Sequence, residues 1–266
     1  MKIAIVTGAS SGMGREFVMQ LEKHVSVDEI WVIARRREAL EALTGKTKAT
    51  LRPIPLDLCE KESFETLAAL LEAENPHVKL LVNAAGFGKF GAWHKVSPED
   101  DLKMIDLNCK ALVAMTRLVL PYMGENSHVL QLDSLSAFQP VPYINTYAAT
   151  KSFVLSYTRG LNRELKGTGI RMRAMNPGWV KTEFFNHAFQ TNGGSEVQYF
   201  NRLYEAKDVV ATGLNALYHS RRDYYVHGIP VQLQVLGVKV LPHSIVMSIW
   251  EHQQKKPRNN QNLTTK

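Results

Sequence analysis

The 266-residue sequence has only two cysteines, Cys59 and Cys109, no apolar stretch of membrane-spanning length, and no acid between residues 252 and 266. Each scarcity excludes something. Two cysteines this far apart in sequence do not form a metal knuckle, and a disulfide framework needs more of them in a shorter chain, so both thiols are expected reduced. A membrane helix requires roughly 18 uninterrupted apolar residues, and none is present. The chain passes from Met1 directly into strand-like Lys2-Ile3-Ala4-Ile5-Val6, which leaves no charged and apolar leader and points to the cytoplasm. The sequon Asn262-Leu263-Thr264 then carries no chemistry. Helix-turn-helix patterns, zinc-finger spacings and basic faces interleaved with aromatics are also missing, so nucleic acid is not an expected partner.

The net charge of +7 is unevenly spread. Lys255, Lys256, Arg258 and Lys266 supply four of those charges, leaving the body with an ordinary solubility charge. Residues 251–266 read as a flexible basic tail, and residues 1–250 as one domain whose C-terminal part varies from about residue 186. Membrane contact is not expected. A hydrophobic fraction of 45% suffices for a full core.

Within the body, short apolar runs alternate with helix-periodic stretches. Ile3 to Val6, Ile30 to Ala34, Leu51 to Leu56, Lys79 to Asn83, His128 to Leu132 and Ile170 to Asn176 read as strands. Arg15 to His24, Glu38 to Leu43, Glu62 to Glu72, Pro98 to Met123 and Thr146 to Lys166 read as helices. Such alternation predicts an α/β fold with a doubly wound parallel sheet and helices on both faces. Ligands of these sheets bind at the carboxyl ends of the strands. Farther on, Val231, Leu233 and Val235 alternate as a strand does. Ile245, Val246, Ile249 and Trp250 then predict a terminal helix that docks on the body, covers the substrate mouth or mediates association.

After the first strand comes Thr7-Gly8-Ala9-Ser10-Ser11-Gly12-Met13-Gly14, leading directly into a helix. Glycines there permit a tight turn and close approach of a pyrophosphate to free helix N–H groups. The second strand ends Arg35-Arg36-Arg37 where an NAD site would carry an acid; arginine forks suit a 2′-phosphate, no acid is expected nearby to repel it, and NADP(H) is the expected cofactor. Asp57-Leu58, ending the third strand, is placed to meet the adenine edge. The small residues of Asn83-Ala84-Ala85-Gly86, ending the fourth, let the backbone pass close to the adenosine ribose.

Ser134 follows the fifth strand, and a helix thirteen residues later carries Tyr147 and Lys151, four apart and therefore on one face. A free phenol titrates near ~10, and a neighbouring ammonium is expected to lower that value. Tyr147 is then the acid/base for a carbonyl oxygen, with Ser134 hydrogen-bonding the same oxygen.

These elements, with Asn176-Pro177-Gly178-Trp179-Val180-Lys181-Thr182, resemble the short-chain dehydrogenase/reductase family over residues 1 to about 185. Phe138 to Tyr143 and Tyr147 to Phe153 are particularly similar to its DltE-like branch, which is related to hydroxysteroid dehydrogenases and 3-oxoacyl reductases. The resemblance implies a Rossmann-like domain in which Lys151 also holds the nicotinamide ribose. It further implies that Asn108 anchors a water path to Lys151, that Val180 with Thr182 lies near the carboxamide, and that Pro177 and Gly178 also border the cofactor. Homodimers or homotetramers are the implied assemblies. Three departures stand out: Ala84 replaces a usual asparagine, Ala111 replaces a glycine, and no Val-Asp-Gly-Gly ending closes the sheet where tetramer contacts usually form. Tyr224 to Val226 and Val231 to Val235 are the candidates for that closing strand.

Phe87, Phe90, Trp93, Phe138, Tyr143, Trp179, Phe184, Phe185 and Phe189 fall in the loops expected around the reacting carbon. They predict a hydrophobic ketone or secondary alcohol, steroid- or lipid-like. Lys89, Lys95 and Lys181 offer anion recognition instead. Two other readings compete: a non-catalytic NADP(H)-binding regulatory protein, which has no need of the Ser134, Tyr147 and Lys151 relay, and a lyase or epimerase that recycles its cofactor.

Overall fold

The computed structural model describes residues 1–256. Its elements, in chain order, are β1 (Lys2–Thr7), α1 (Gly12–Gln20), β2 (Glu29–Ala34), α2 (Arg37–Glu41), β3 (Thr50–Pro55), α3 (Lys61–Glu74) and β4 (His77–Asn83). There follow α4 (Pro98–Ile105), α5 (Leu112–Val119), β5 (Ser127–Leu132), α6 (Asn145–Glu164), β6 (Ile170–Asn176), β7 (Trp179–Lys181) and α7 (Phe184–Ala188). The chain continues through β8 (Leu203–Glu205), α8 (Ala206–His219), β9 (Tyr224–Val226), α9 (Ile229–Val240) and α10 (His243–Gln254).

The strands form a seven-stranded sheet in the order β3-β2-β1-β4-β5-β6-β9, every pair parallel. Alternation along each strand sends side chains into two cores. Ala4, Val6, Val32 and Val82 pack on one face with Phe17 of α1 and Leu214 of α8. Ile3, Ile5, Trp31 and Leu81 pack on the other with Leu67 of α3 and Met115 of α5. The winding reverses between β1 and β4, which opens a crevice at their carboxyl ends.

Three expectations change in detail. The single helix expected over Pro98 to Met123 is two helices joined by a π-turn at Asp106–Ala111. Its start is well capped: Ser97 Oγ accepts from Asp100 N–H at 3.1 Å, with Pro98 at the first turn. Val231 to Val235 is not a strand but lies in α9. Pro230 opens that helix, and Val231, Val235 and Val238 are buried at the spacing of one helical face. Tyr224–Val226 closes the sheet beside β6. The terminal helix is α10; it runs to Gln254, past the expected tail boundary at 250, and residues 257–266 of that tail lie outside the described residues.

His128 of β5 is buried with its ring centroid 4.4 Å from that of Tyr218 on α8. Burial, aided by Arg171 and Arg173, holds its pKa down to about 4. The unfolded chain takes that proton near ~6.5, so the native state binds fewer protons between these values and loses stability as pH falls through the window. The urea midpoint is therefore expected to drop from pH 7 to pH 4, with a shallower drop in His128→Gln; equal slopes would remove His128 from the account.

Candidate active site

A cleft of about 870 Å³ runs along the carboxyl edge of the sheet. Its first wall is the turn between β1 and α1, where Gly8 and Gly12 adopt φ of +67° and +50°. A Cβ on Gly14 would lie 2.1 Å from the Gly8 carbonyl oxygen, so only glycine lets helix and turn meet this closely. Thr7 Oγ1 accepts from the N–H groups of Ala84 and Ala85, both at 3.1 Å, and pins the end of β4 against the turn. Ser11 caps α1 in extended conformation without a side-chain bond. The Gly12 N–H donates to Glu183 Oε2 at 3.0 Å, and Arg15 meets the other oxygen of that carboxylate at 3.1 Å. An anionic group thus already sits at the positive end of α1, and the cradle fits a dinucleotide pyrophosphate.

Gly8, Ser10, Ser11, Gly12, Met13 and Gly14 all line the cleft, as do Arg35, Arg36, Asp57, Leu58, Ala84, Ala85 and Gly86. Arg36 donates to Ser10 O at 3.3 Å and Ser10 Oγ at 3.2 Å, clamping the turn. Arg35 is mostly exposed, and here the expectation of no nearby acid fails: its guanidinium lies 3.9 Å from Asp57. The fold brings the end of β3 beside the end of β2, a proximity that sequence separation conceals. Asp57 also accepts from Cys59 N–H at 3.0 Å. Asn83 does not line the cleft; its amide donates to Thr116 at 3.1 Å and ties β4 to α5.

The floor is built from the end of β5 and from α6. Ser134 Oγ accepts from Ser136 N–H at 3.2 Å and lies 3.0 Å from Ser136 Oγ, opening a short 3-10 turn over Leu135–Phe138. The Ser134 hydroxyl faces the same cleft as Tyr147 and acts to lower its phenol. Lys151 Nζ donates to Leu132 O at 2.7 Å and stands 5.6 Å from the Tyr147 ring centroid. The expected lowering of Tyr147 by Lys151 is not what this arrangement gives. Burial pushes the phenol above its usual value against the opposing influence of the Ser134 hydroxyl, and burial also holds Lys151 down. Beneath them, Asn176 Nδ2 donates to Asp133 Oδ2 at 2.5 Å and to Ser134 O at 3.1 Å.

Asn108, on the π-turn, is buried and outside the cleft lining. Its Oδ1 accepts from Phe87 N–H at 3.1 Å, and its Nδ2 donates to Phe87 O at 2.9 Å and Thr150 Oγ1 at 3.1 Å. It thereby clamps the loop after β4 to the helix of Tyr147. Gly88 completes that contact: a Cβ there would come within 2.9 Å of both Tyr147 and Phe184. Asp133, Ser136, Thr150 and Gly88 were missed by the sequence reading. A signal existed for two of them, an acid and a second serine flanking Ser134 after an apolar strand.

Pro177, Gly178, Val180 and Thr182 line the far end, and Phe87, Phe90, Trp179, Phe184 and Phe185 form its aromatic wall. Tyr199 and Trp250 join them from the C-terminal part; Trp250 donates its indole N–H to Pro142 O at 3.0 Å, docking α10 over the cleft. Other expected aromatics lie elsewhere. Trp93 is 81% exposed, Phe138 packs on Tyr224, Phe189 stacks on Phe185, and Tyr143 joins the packing around the buried aromatic cluster. Lys89 lines the cleft but is held by Gln190 O at 2.9 Å and by Asp100 at 3.7 Å. Lys95 and Lys181 are paired with Glu196 and Glu205.

The short chain dehydrogenase family model matches residues 2–193. This chain belongs to the short chain dehydrogenase family. Among its relatives is the NADP-dependent 3-hydroxy acid dehydrogenase YdfG of Escherichia coli K12, 32% identical over 249 residues covering 90% of this chain and 94% of that protein. A solved structure, the closed form of serine dehydrogenase complexed with NADP+, is 32% identical with a TM-score of 0.73, covering 84% of this chain and 93% of the other. A short-chain dehydrogenase from Sphingobium yanoikuyae in complex with NADPH shares the fold, with a TM-score of 0.75 at 23% identity, covering 93% of this chain and 96% of that one.

As a short-chain dehydrogenase the protein is an oxidoreductase acting between CH–OH and C=O. Among the described residues, no group of three or more His, Cys, Asp or Glu is placed to hold a metal, and no helix is long and apolar enough to cross a membrane. Both cysteines are free. Because the Gly14 contact is backbone against backbone, Gly14→Ala must displace the turn at a cost of about 1–3 kcal/mol. Dinucleotide affinity by fluorescence titration is expected to fall ~10- to 100-fold. Gly160→Ala, on an open face of α6, should leave it unchanged.

Proposed function

We propose that this short-chain dehydrogenase uses NADP(H) to interconvert a ketone or aldehyde and an alcohol, on a hydrophobic, steroid- or lipid-like substrate. The observation that carries the reading is that Tyr147, Ser134 and Lys151 line the same cleft as the Gly8 to Gly14 turn. The names of the relatives support the choice of NADP(H). So does the absence of an acid at the end of β2, where Arg35 and Arg36 line the cleft.

The Gly8 to Gly14 turn would hold the pyrophosphate, and Arg35 and Arg36 the 2′-phosphate. Asp57 and Leu58 would border the adenine, and Ala84, Ala85 and Gly86 the adenosine ribose. Pro177, Gly178, Val180 and Thr182 would meet the carboxamide, and Lys151 the nicotinamide ribose. When bound, the nicotinamide donates or accepts a hydride at the reacting carbon. Tyr147, kept protonated by burial, would give its proton to the carbonyl oxygen in reduction, and the phenolate left behind is the form that would take a proton from the alcohol in oxidation. Ser134 hydrogen-bonds that oxygen where negative charge grows. Asn108 fixes the loop and helix that hold these groups in register.

The aromatic wall supports an apolar substrate, because Lys89 is engaged by Asp100 and Gln190 while Lys95 and Lys181 are paired outside the cleft. A homodimer or homotetramer in the cytoplasm completes the reading.

NADPH oxidation is expected with steroid and fatty-acyl ketones, and Tyr147→Phe should cut it by at least ~100-fold while NADPH binding stays intact. Turnover confined to short 3-hydroxy acids and serine would overturn the substrate class, and an active phenylalanine variant would overturn the mechanism. For the cofactor, Arg35→Ala is expected to weaken NADPH ~10-fold or more, the worth of a charge-assisted bond, and to leave NADH little changed. Equal losses for the two nucleotides would remove Arg35 from the 2′-phosphate.

A further inference from the structure

The start of α1 carries a carboxylate from far along the chain. Glu183, in the short link between β7 and α7, accepts from the Gly12 N–H through Oε2 at 3.0 Å, and its Oε1 lies 3.1 Å from Arg15 Nη2. Gly12 is the first residue of α1, so this N–H is one of those that the helix itself leaves without a partner. The approach is close: a Cβ on Gly12 would come within 3.3 Å of the Thr182 side chain and 3.8 Å of Glu183 Oε2. Gly12, Thr182 and Glu183 all line the cleft, whereas Arg15 does not and holds the carboxylate from outside it. A pyrophosphate in this cradle draws on the same free N–H groups and the same positive end of the helix dipole. One N–H cannot serve two anions at hydrogen-bond distance, and two negative charges that close repel each other.

We propose that Glu183 is a resident anion that competes with the dinucleotide's pyrophosphate for the Gly12 N–H, and that it thereby sets how tightly the cofactor is held. The inference rests on the NADP(H) reading above. Dinucleotide binding has to exchange the bonds that Glu183 makes to Gly12 and Arg15 for its own. The exchange is open to the side chain, because Glu183 is 32% and Arg15 44% exposed and the released carboxylate swings into water. Its cost is subtracted from the affinity of every ligand that brings a pyrophosphate to the turn. Glu183 therefore acts alike on NADPH and NADH, in contrast to Arg35 and Arg36, whose place at the end of β2 bears on the 2′-phosphate alone.

Glu183→Gln keeps the size of the side chain and deletes its charge. In calorimetric titrations of the full-length protein, this variant is expected to bind NADPH and NADH each ~10-fold more tightly than the parent, the worth of about one charge-assisted bond. Adenosine 2′-monophosphate, which has no pyrophosphate, is expected to bind both proteins equally. Glu183→Ala, which also removes the neutral acceptor, should gain at least as much as the glutamine variant. A Glu183 that only caps α1 would lower the thermal midpoint on substitution and leave dinucleotide affinity unchanged or weaker, which would overturn the proposal. An equal gain for adenosine 2′-monophosphate would overturn it too, since the effect would then be one of overall charge. Inorganic pyrophosphate separates this inference from the cofactor reading. Tighter binding of pyrophosphate to Glu183→Gln, with no dinucleotide bound by either protein, upholds the competition and refutes the reading; dinucleotide bound equally by both proteins upholds the reading and refutes the competition.

Discussion

Burial of polar groups at the end of β5 is the constraint on which the site depends. Asp133, Asn176 and Lys151 lie almost wholly out of water, and Tyr147 is partly covered above them. None can be held there by the hydrophobic effect. Asn176, Asp133 and Lys151 are fixed instead by bonds that a small displacement would forfeit: Asn176 to Asp133 and Ser134, and Lys151 to Leu132 O. The parallel sheet makes this affordable, because β5 and β6 end side by side with helices over both faces and exclude solvent from the place where they stop.

Around that floor, two loops converge by different means. The β1–α1 turn is set by glycine geometry and by Thr7, whose single hydroxyl accepts from two backbone N–H groups beyond β4. The loop after β4 is set by Asn108, whose side chain both accepts from and donates to the backbone of Phe87. A π-turn carries Asn108, and the altered winding within a helical stretch points its amide at a strand-end loop. Dinucleotide cradle and proton-transfer groups are consequently positioned by hydrogen bonds to backbone, which tolerate change in neighbouring side chains.

The strands of the core were legible because buried parallel strands are nearly continuous apolar runs, and Ile170–Asn176 was recovered to the residue. The glycine turn and the Tyr147–Lys151 spacing were legible because backbone approach and helical pitch leave marks at short range. What escaped depended on partners distant in sequence. Nothing local tells that Asp57 meets Arg35, that Asn83 turns away toward Thr116, or that Lys89 is claimed by Asp100. The alternation of Val231, Leu233 and Val235 misled because Val231 and Val235 are also four apart, so both periods fit, and Pro230 decided for the helix. The electrostatics of Tyr147 were misjudged for a related reason: spacing reveals the nearby ammonium and conceals the burial that outweighs it.

The tether between the Trp250 indole and Pro142 O joins the last described helix to the segment that opens α6. Tyr199 and Trp250, which border the open end of the cavity, therefore come from a part of the chain beyond the residues 2–193 shared with the family model. Part of the cleft lining is thus encoded outside the stretch that carries the glycine turn and the Tyr147–Lys151 pair. Exchange or drift in the second stretch can reshape which molecules fit while the groups that move protons stay untouched, a division of labour that makes such a scaffold easy to retune and its preferred molecule hard to infer from the shared part alone.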